Sequence, residues 1–269
     1  MSESELAREI FAQPEALERF RAEEGARAAE LGARLAQLRP AGVMIAARGS
    51  SDHAAVYAKY LLGARAGVPV ALAAPSLFTI YAREPKLAGW VVMAISQSGA
   101  SPDVVRVVAA ARAQGCATVA LTDRAGSPLA LAAEHVISLR LGGERAIAAT
   151  GSFTTTLYAL AHLVAGFRGI EEPALASAPE LATRALATQP AVRALADTLA
   201  GFASCAVIGR GYGFPVALEW ALKLKELAGV YAEPFSAADY RHGPIALASA
   251  GAPAFTIDLG GAARADVGR

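Results

Sequence analysis

The alternation of apolar and polar positions predicts two opening helices. Ser2 to Ala12 begins with Ser-x-x-Glu, and Pro14 to Leu38 carries proline at its first turn, both helix-start signatures. Short apolar runs then take over. "AGVMIAA" (41–47) has a strand pattern, ends in "RGSSDH" and leads into the helical "AAVYAKYLLGAR". "GVPVALAA" (67–74) and "GWVVMAIS" (89–96) are further strands. The second of these is closed by "QSGASP" and followed by the helix "DVVRVVAAARAQG", after which "ATVALTD" (117–123) is a fourth strand. Strands alternating with amphipathic helices at this spacing predict parallel βαβ units in a doubly wound α/β sheet.

The alternation restarts after a helical middle formed by "FTTTLYALAHLVAGF" and "ELATRALATQPAVRALADTLA". "SCAVIGRGYG" is again a strand ending in a glycine turn, and it runs straight into the helix "FPVALEWALKLKEL". At an offset of about 162 residues Arg210-Gly211 falls on Arg48-Gly49, with a helix following in both places, so an internal duplication is expected. The second copy reads as truncated: after "GAPAFTIDLGG" a full copy needs another helix and at least one more strand. The expected organisation is an N-terminal helical segment over 1–38, a first α/β domain over 39–170 and a shortened second over 171–269.

Composition narrows the class. With 54% hydrophobic and 18% charged residues, the 269-residue chain is a folded globular protein. A net charge of +1 asks for neither nucleic acid nor an anionic membrane, so anions must be bound locally. Cys116 and Cys205 stand in strand-like runs and read as buried thiols. The N-terminus is acidic, and no apolar run reaches the roughly 18 residues of a membrane span, so a soluble cytoplasmic protein is expected.

Ligands of open α/β sheets sit beyond the carboxyl ends of the strands. "ISQSGASPD" places Ser96, Gln97, Ser98 and Ser101 between a strand and a helix, and "RGSSDH" places Gly49, Ser50 and Ser51 likewise. Hydroxyls and helix-start amides converging on one point bind an anion such as phosphate without a basic residue. The same serines also suit simple helix capping, with Ser101-Pro102-Asp103 a good cap. "GRGYG" lacks the full dinucleotide fingerprint.

Only four lysines occur, and two of them, Lys223 and Lys225, share one helical stretch. Glu219, Lys223 and Glu226 fall at i, i+4 and i+7 on one stripe, while Lys225 points roughly opposite to Lys223. The stripe reads either as a surface salt-bridge row or as a site near the ligand crevice, since its helix directly follows a strand-end turn. His242, in a turn before Gly243-Pro244, offers a second titrating group.

Together, "RGSSDHAAVYAKYL", "ISQSGASPD", "ALKLKE" and "YRHGPIAL" resemble the motifs of the sugar isomerase (SIS) domain family over about residues 40–255. The likeness extends to the double-SIS isomerase half of glucosamine-6-phosphate synthase and to stand-alone double-SIS aminosugar-phosphate deaminases and isomerases. It implies two SIS domains, each a doubly wound flavodoxin-like parallel sheet flanked by helices. It also implies a sugar phosphate held by Ser51, Ser96, Gln97, Ser98 and Ser101, with Gly49 and Ser50 lining the loop. Glu226 would carry the proton between C1 and C2 of the open-chain sugar. Lys223 would assist there, and His242 would assist ring opening, typically from the neighbouring subunit of a homodimer with shared active sites. "ERAIAATGSFTTT" matches the segment in which backbone atoms of Ile147 and Ala148 would face the sugar. No metal or other cofactor is implied.

Departures from the pattern bear on the reaction. Residue 2 is serine rather than the nucleophilic cysteine of the glutaminase domain, which is expected to be absent, so an ammonia-linked or purely isomerising reaction is favoured. Gly151 and Ala149 replace a lysine and a serine, and the C-terminal Schiff-base lysine has no counterpart. The expected activity is interconversion of glucosamine 6-phosphate and fructose 6-phosphate. The alternatives are cleavage of fructosamine 6-phosphates and a non-catalytic sugar-phosphate-binding regulator.

Overall fold

The computed structural model describes residues 4–199, 201–249, 251 and 253–268. Segment ends expected at Ser2 and Ala200 lie outside these residues. The chain divides into two compact units, Met1–Arg184 and Ala185–Arg269. Among the described residues no helix is long and apolar enough to cross a membrane.

The first unit opens with α1 (Glu5–Phe11), whose start is capped by the Ser4 hydroxyl accepting the Ala7 N–H at 3.1 Å. Next come α2 (Gln13–Phe20), a single π-helical turn at Arg21–Gly25, and α3 (Ala26–Gln37). The predicted Pro14–Leu38 helix is therefore interrupted once. The π turn carries Glu24, only 1% exposed, whose carboxylate accepts from Arg140 Nε at 3.0 Å and its terminal nitrogen at 2.7 Å. A buried charge is tolerable only when paired in this way.

A five-stranded parallel sheet follows, in the order β2-β1-β3-β4-β5. It comprises β1 (Gly42–Ala46), β2 (Val70–Leu72), β3 (Trp90–Ile95), β4 (Ala117–Thr122) and β5 (His135–Ser138). The connections carry α4 (Ser50–Ala66), α5 (Ser76–Thr79), α6 (Pro102–Ala113) and α7 (Pro128–Ala132); α8 (Gly151–Phe167) follows the last strand. Side chains alternate across the strands. Val43, Ile45, Val91, Met93, Val119 and Leu121 join the core shared with α3, α4 and α8, while Ala46, Ala94 and Ala120 face α6. Small residues on that second face let the Val104, Val107 and Ala111 side of α6 lie close. The edge strand β5 is missing from the sequence reading because its four residues begin with a histidine and show too little alternation.

Two helices meet through glycine. A β-carbon on Gly32 of α3 would lie 1.9 Å from the Leu163 carbonyl oxygen, and one on Gly166 of α8 would lie 1.8 Å from that of Ala29. Both obstacles are backbone, so no rotamer change relieves them. Phe20, Tyr158 and His162 form an aromatic cluster beside this contact, with ring centroids 4.6–5.9 Å apart.

The second unit holds a three-stranded parallel sheet ordered β7-β6-β8, made of β6 (Ser204–Gly209), β7 (Tyr231–Ser236) and β8 (Ala254–Thr256). Helix α9 (Ala178–Leu186) crosses the boundary between the units, and α10 (Gln189–Thr198) precedes β6. Helix α11 (Gly213–Ala228) links β6 to β7, while α12 (Ala237–Arg241), α13 (Ala246–Ser249) and α14 (Arg264–Val267) complete the unit. Strand β7 escaped the sequence reading because of Glu233 and Pro234; proline suits its place at a sheet edge. The order β7-β6-β8 repeats β2-β1-β3, and Gly49 and Gly211 share a φ of 57° after the equivalent strands. Cys116 and Cys205 are free and buried, and burial pushes both thiols up.

Two stability measurements follow from this packing. Alanine normally stabilises a helix interior over glycine by about 1 kcal/mol, but Gly166→Ala should lower the free energy of unfolding by about 2 kcal/mol in a urea titration, because Ala29 blocks the new methyl. Burial, aided by Arg21, holds the His162 imidazole below its ordinary 6.5, and its buried Nε2 has no hydrogen-bond partner among the described residues. The unfolded chain therefore takes up this proton first, so stability should fall as pH drops below 6.5. His162→Gln should flatten that part of the melting-temperature profile.

Candidate functional site

The first site is built where the order of the first sheet reverses direction. The connection from β1 leaves toward β2 on one side, and that from β3 leaves toward β4 on the other, which opens a crevice at their carboxyl ends. Both serine loops stand there. Gly49, at φ 57° and ψ −134°, turns the chain sharply from β1 into α4, a conformation that favours glycine, and Ser50 and Ser51 form the first turn. Gly49 has no side chain to cap α4, and its carbonyl accepts from Asp52 and His53 at 2.9 and 3.2 Å.

The loop after β3 is docked more tightly. A β-carbon on Gly99, at φ 62°, would lie 2.1 Å from Ser127 Oγ, so the chain must be bare at that point. Ser96 Oγ accepts the Gly99 N–H at 3.2 Å, and Ser98 Oγ accepts that of Ala100 at 3.3 Å. The Gln97 carbonyl takes the Asp123 N–H and the Thr122 hydroxyl, both at 3.1 Å. Ser101 stands at the start of α6 but makes no capping hydrogen bond. The capping explanation of this serine therefore fails. Arg48 bridges the two loops by pairing with Asp103 at 2.8 Å. Desolvation pushes the half-buried Asp52 carboxyl in the first turn of α4 up.

In the second unit the equivalent turn has different chemistry. After β8 stands Asp258, whose Oδ1 accepts the Gly260 N–H at 2.7 Å. Where the first copy offers serine hydroxyls, this copy offers a carboxylate, which repels an anion. The latch is nevertheless repeated: Arg210 pairs with Asp266 at 2.8 Å, as Arg48 pairs with Asp103. The Arg-Gly repeat is visible in sequence; the aspartates of the two latches were missed because they follow their strands at different spacings.

The lysine-glutamate stripe forms as expected. Lys223 Nζ lies 3.2 Å from Glu219 Oε1 and 2.7 Å from Glu226 Oε2, while Lys225 is exposed. Glu219 is only 7% exposed while Glu226 is exposed, so the row runs from a buried carboxylate to a surface one. Its place on the helix also differs from the expectation. Glu226 lies in the last turn of α11, about 20 Å along the axis from the strand-end turn. Since β6 and β7 are parallel, that end of α11 lies at the amino edge of the sheet. His242 follows β7 and α12, at the carboxyl edge, with its side chain exposed. Within one copy of this unit, His242 and Glu226 therefore stand at opposite sheet edges, separated by about the 20 Å length of β7.

The segment expected to face the sugar leaves β5 and enters α8. Ile147 is fully exposed at 101%, and Ala148 is buried at 2%. Two glutamates that sequence reasoning did not single out hold it: Glu9 accepts from the Arg145 and Ala146 N–H groups, and Glu144 accepts from those of Thr150 and Ser152.

Comparison with known proteins places these features in context. The chain matches the family described as SIS domain over residues 40–165 and 200–265. It is 33% identical over 272 residues to a glutamine-fructose-6-phosphate aminotransferase (isomerizing) of Symbiobacterium thermophilum, covering 94% of this chain and 44% of that protein. It is 36% identical over 227 residues to the protein of that name from Mycolicibacterium smegmatis, covering 80% and 36% respectively. The chain thus spans less than half the length of these relatives. A candidate phosphosugar isomerase of Silicibacter pomeroyi DSS-3 superposes with a TM-score of 0.91 at 35% identity, covering 98% of this chain and 81% of that one. The C-terminal domain of glucosamine-fructose-6-phosphate aminotransferase from Francisella tularensis shares the fold, with a TM-score of 0.85 at 24% identity and coverage of 99% and 79%.

The two kinds of serine in this site are separable by experiment. Ser127 is buried and caps α7 by accepting the Ala130 N–H at 3.2 Å, so Ser127→Ala should cost about 1 kcal/mol of stability. Ser101→Ala should leave the melting temperature unchanged and weaken binding of a phosphate ester about tenfold in calorimetry.

Proposed function

The chain belongs to the SIS domain family, and from that premise we propose that it is a phosphosugar isomerase acting as an aminosugar-phosphate deaminase, interconverting glucosamine 6-phosphate with fructose 6-phosphate and ammonia. The observation that carries this reading is the stripe on α11, in which Lys223 is held 2.7 Å from Glu226 and 3.2 Å from buried Glu219. Transfer of a proton between adjacent carbons of an open-chain sugar needs a carboxylate that reaches both, and a nearby cation to stabilise the charge that develops. Glu226 and Lys223 have those roles. In the first unit taken by itself, Ser51, Ser96, Gln97, Ser98 and Ser101 are the groups that would anchor a phosphate, with Gly49 and Ser50 shaping the loop.

In the deaminating direction Glu226 takes the proton from C2 of the open-chain aldose and returns it to C1, converting the C2 amine into an imine. Water then adds at C2 and ammonia leaves, giving the ketose. His242 assists ring opening by handing a proton to the ring oxygen. Because His242 and Glu226 stand at opposite sheet edges within one copy of the second unit, their cooperation favours a homodimer in which each site draws His242 from the partner subunit. Exposed Val192 and Leu195 on α10 give such a dimer apolar surface to bury.

The test is incubation with glucosamine 6-phosphate in deuterated water, following ammonia, fructose 6-phosphate and carbon-bound deuterium together. All three should appear, and Glu226→Gln should slow them about a thousandfold. Binding without exchange would replace this reading with a non-catalytic regulator. Release of an amino acid from fructosamine 6-phosphates, without ammonia from the aminosugar, would replace it with a deglycase. Shared sites carry their own signature: mixing and reassociating inactive Glu226→Gln and His242→Ala variants should recover about a quarter of wild-type activity, because half the random dimers hold one intact site.

A further inference from the structure

We propose that Glu9, on the first helix of the chain, is a positioning residue that sets the sugar-facing backbone after β5; the proposal rests on the sugar-phosphate reading above. Helix α1 has no fully buried side chain; Leu6, Ala7 and Ile10 are only partly buried, so polar contacts add to what holds it in place. Its contacts with the loop are polar. Glu9 Oε1 accepts the Arg145 N–H at 2.6 Å, and both oxygens accept the Ala146 N–H at 3.2 Å. Glu5 approaches the Arg145 guanidinium at 3.7 Å. At the start of α2, Gln13 Oε1 accepts the Thr154 hydroxyl at 2.6 Å, which ties the same helices to the first turn of α8.

The far side of the loop is held in the same manner. Glu144 folds over the start of α8, accepting the Thr150 N–H at 2.8 Å, the Ser152 N–H at 3.2 Å and the Ser152 hydroxyl. At the near end Asp123, just beyond β4, accepts the Leu141 N–H at 2.8 Å. Carboxylates therefore fix residues 141, 145–146 and 150–152. Between the last two anchors, the N–H groups of Ile147, Ala148 and Ala149 make no hydrogen bond among the described residues. A short segment anchored on both sides by charge-assisted bonds has little freedom, and its uncommitted backbone is held ready for a ligand. The loop also leaves the same carboxyl edge of the sheet as the two serine loops. Glu9 belongs to none of these elements and lies 136 residues away in sequence from Arg145.

Glu9 touches no substrate atom in this scheme; it acts through Arg145 and Ala146. Loosening the loop removes binding common to substrate and transition state, and such a loss raises KM while leaving kcat. The test compares wild type, Glu9→Gln and Glu9→Ala by amide hydrogen exchange, calorimetric affinity for fructose 6-phosphate, and steady-state turnover of glucosamine 6-phosphate. Exchange at Arg145 and Ala146 should rise about tenfold in Glu9→Ala, with affinity and KM weakened about tenfold and kcat within about twofold. Glu9→Gln, which keeps one acceptor oxygen and loses the charge, should fall between. Faster exchange in both variants with unchanged affinity and KM would overturn the positioning role and leave the sugar-phosphate reading intact. Failure of the wild type to bind or turn over either sugar would overturn that reading and the proposal with it. If Glu9→Ala melts early, Glu9→Gln decides: an unchanged KM in it overturns the role.

Discussion

The first unit depends on the close approach of α3 and α8, which only glycine at both Gly32 and Gly166 permits. With backbone against backbone, the helices exclude the space a methyl group needs, and packing at crystal density makes their register specific. Once that register is set, the other N-terminal helices have a defined place. Phe20 meets Tyr158 and His162, Glu24 reaches Arg140, and α1 comes to lie beside the loop that enters α8. The N-terminal segment is therefore packed against α8 and the loop that enters it.

The two units share a plan and differ in chemistry. Each places an Arg-Gly turn after the first strand of its sheet in chain order, with glycine at φ 57°, and each pairs that arginine with an aspartate beyond the neighbouring strand. This latch ties adjacent strand-end loops together at a sheet's switch point, which gives it a structural role in both copies. In the first copy the latch stands between the two serine loops, whereas in the second Arg210 also donates to the Ser236 hydroxyl at 3.1 Å; the helix after the Arg-Gly turn has no side-chain cap in either copy. The second places Asp258 in the equivalent turn and gives its long helix a lysine between two glutamates. The two copies thus line one backbone pattern with different side chains.

Much of this was legible in the chain itself. The βαβ alternation, the two serine loops and the Glu219-Lys223-Glu226 stripe rest on local periodicity, and local periodicity survives folding because each element must bury one face. Strands β5 and β7 were not legible. The first is too short to alternate, and the second carries Pro234, which an edge strand tolerates because its unpaired side needs no N–H. Glu9 and Glu144 were equally silent, since a glutamate on a polar helix or in a loop has the same local signature whether it meets solvent or a distant backbone amide.

By itself the sequence determined the class of fold, the repeat, and the residue types available at each strand end. The tertiary structure decided what those residues do. It left Ser101 without a capping bond while giving Ser127 one, and it buried Glu219 beneath Lys223. It also set His242 and Glu226 of one copy at opposite edges of one sheet. The reason is geometric: residue spacing fixes position along a helix or strand, but which end of an element meets a crevice, and whether a hydroxyl meets an amide or open space, depends on neighbours far away in the chain.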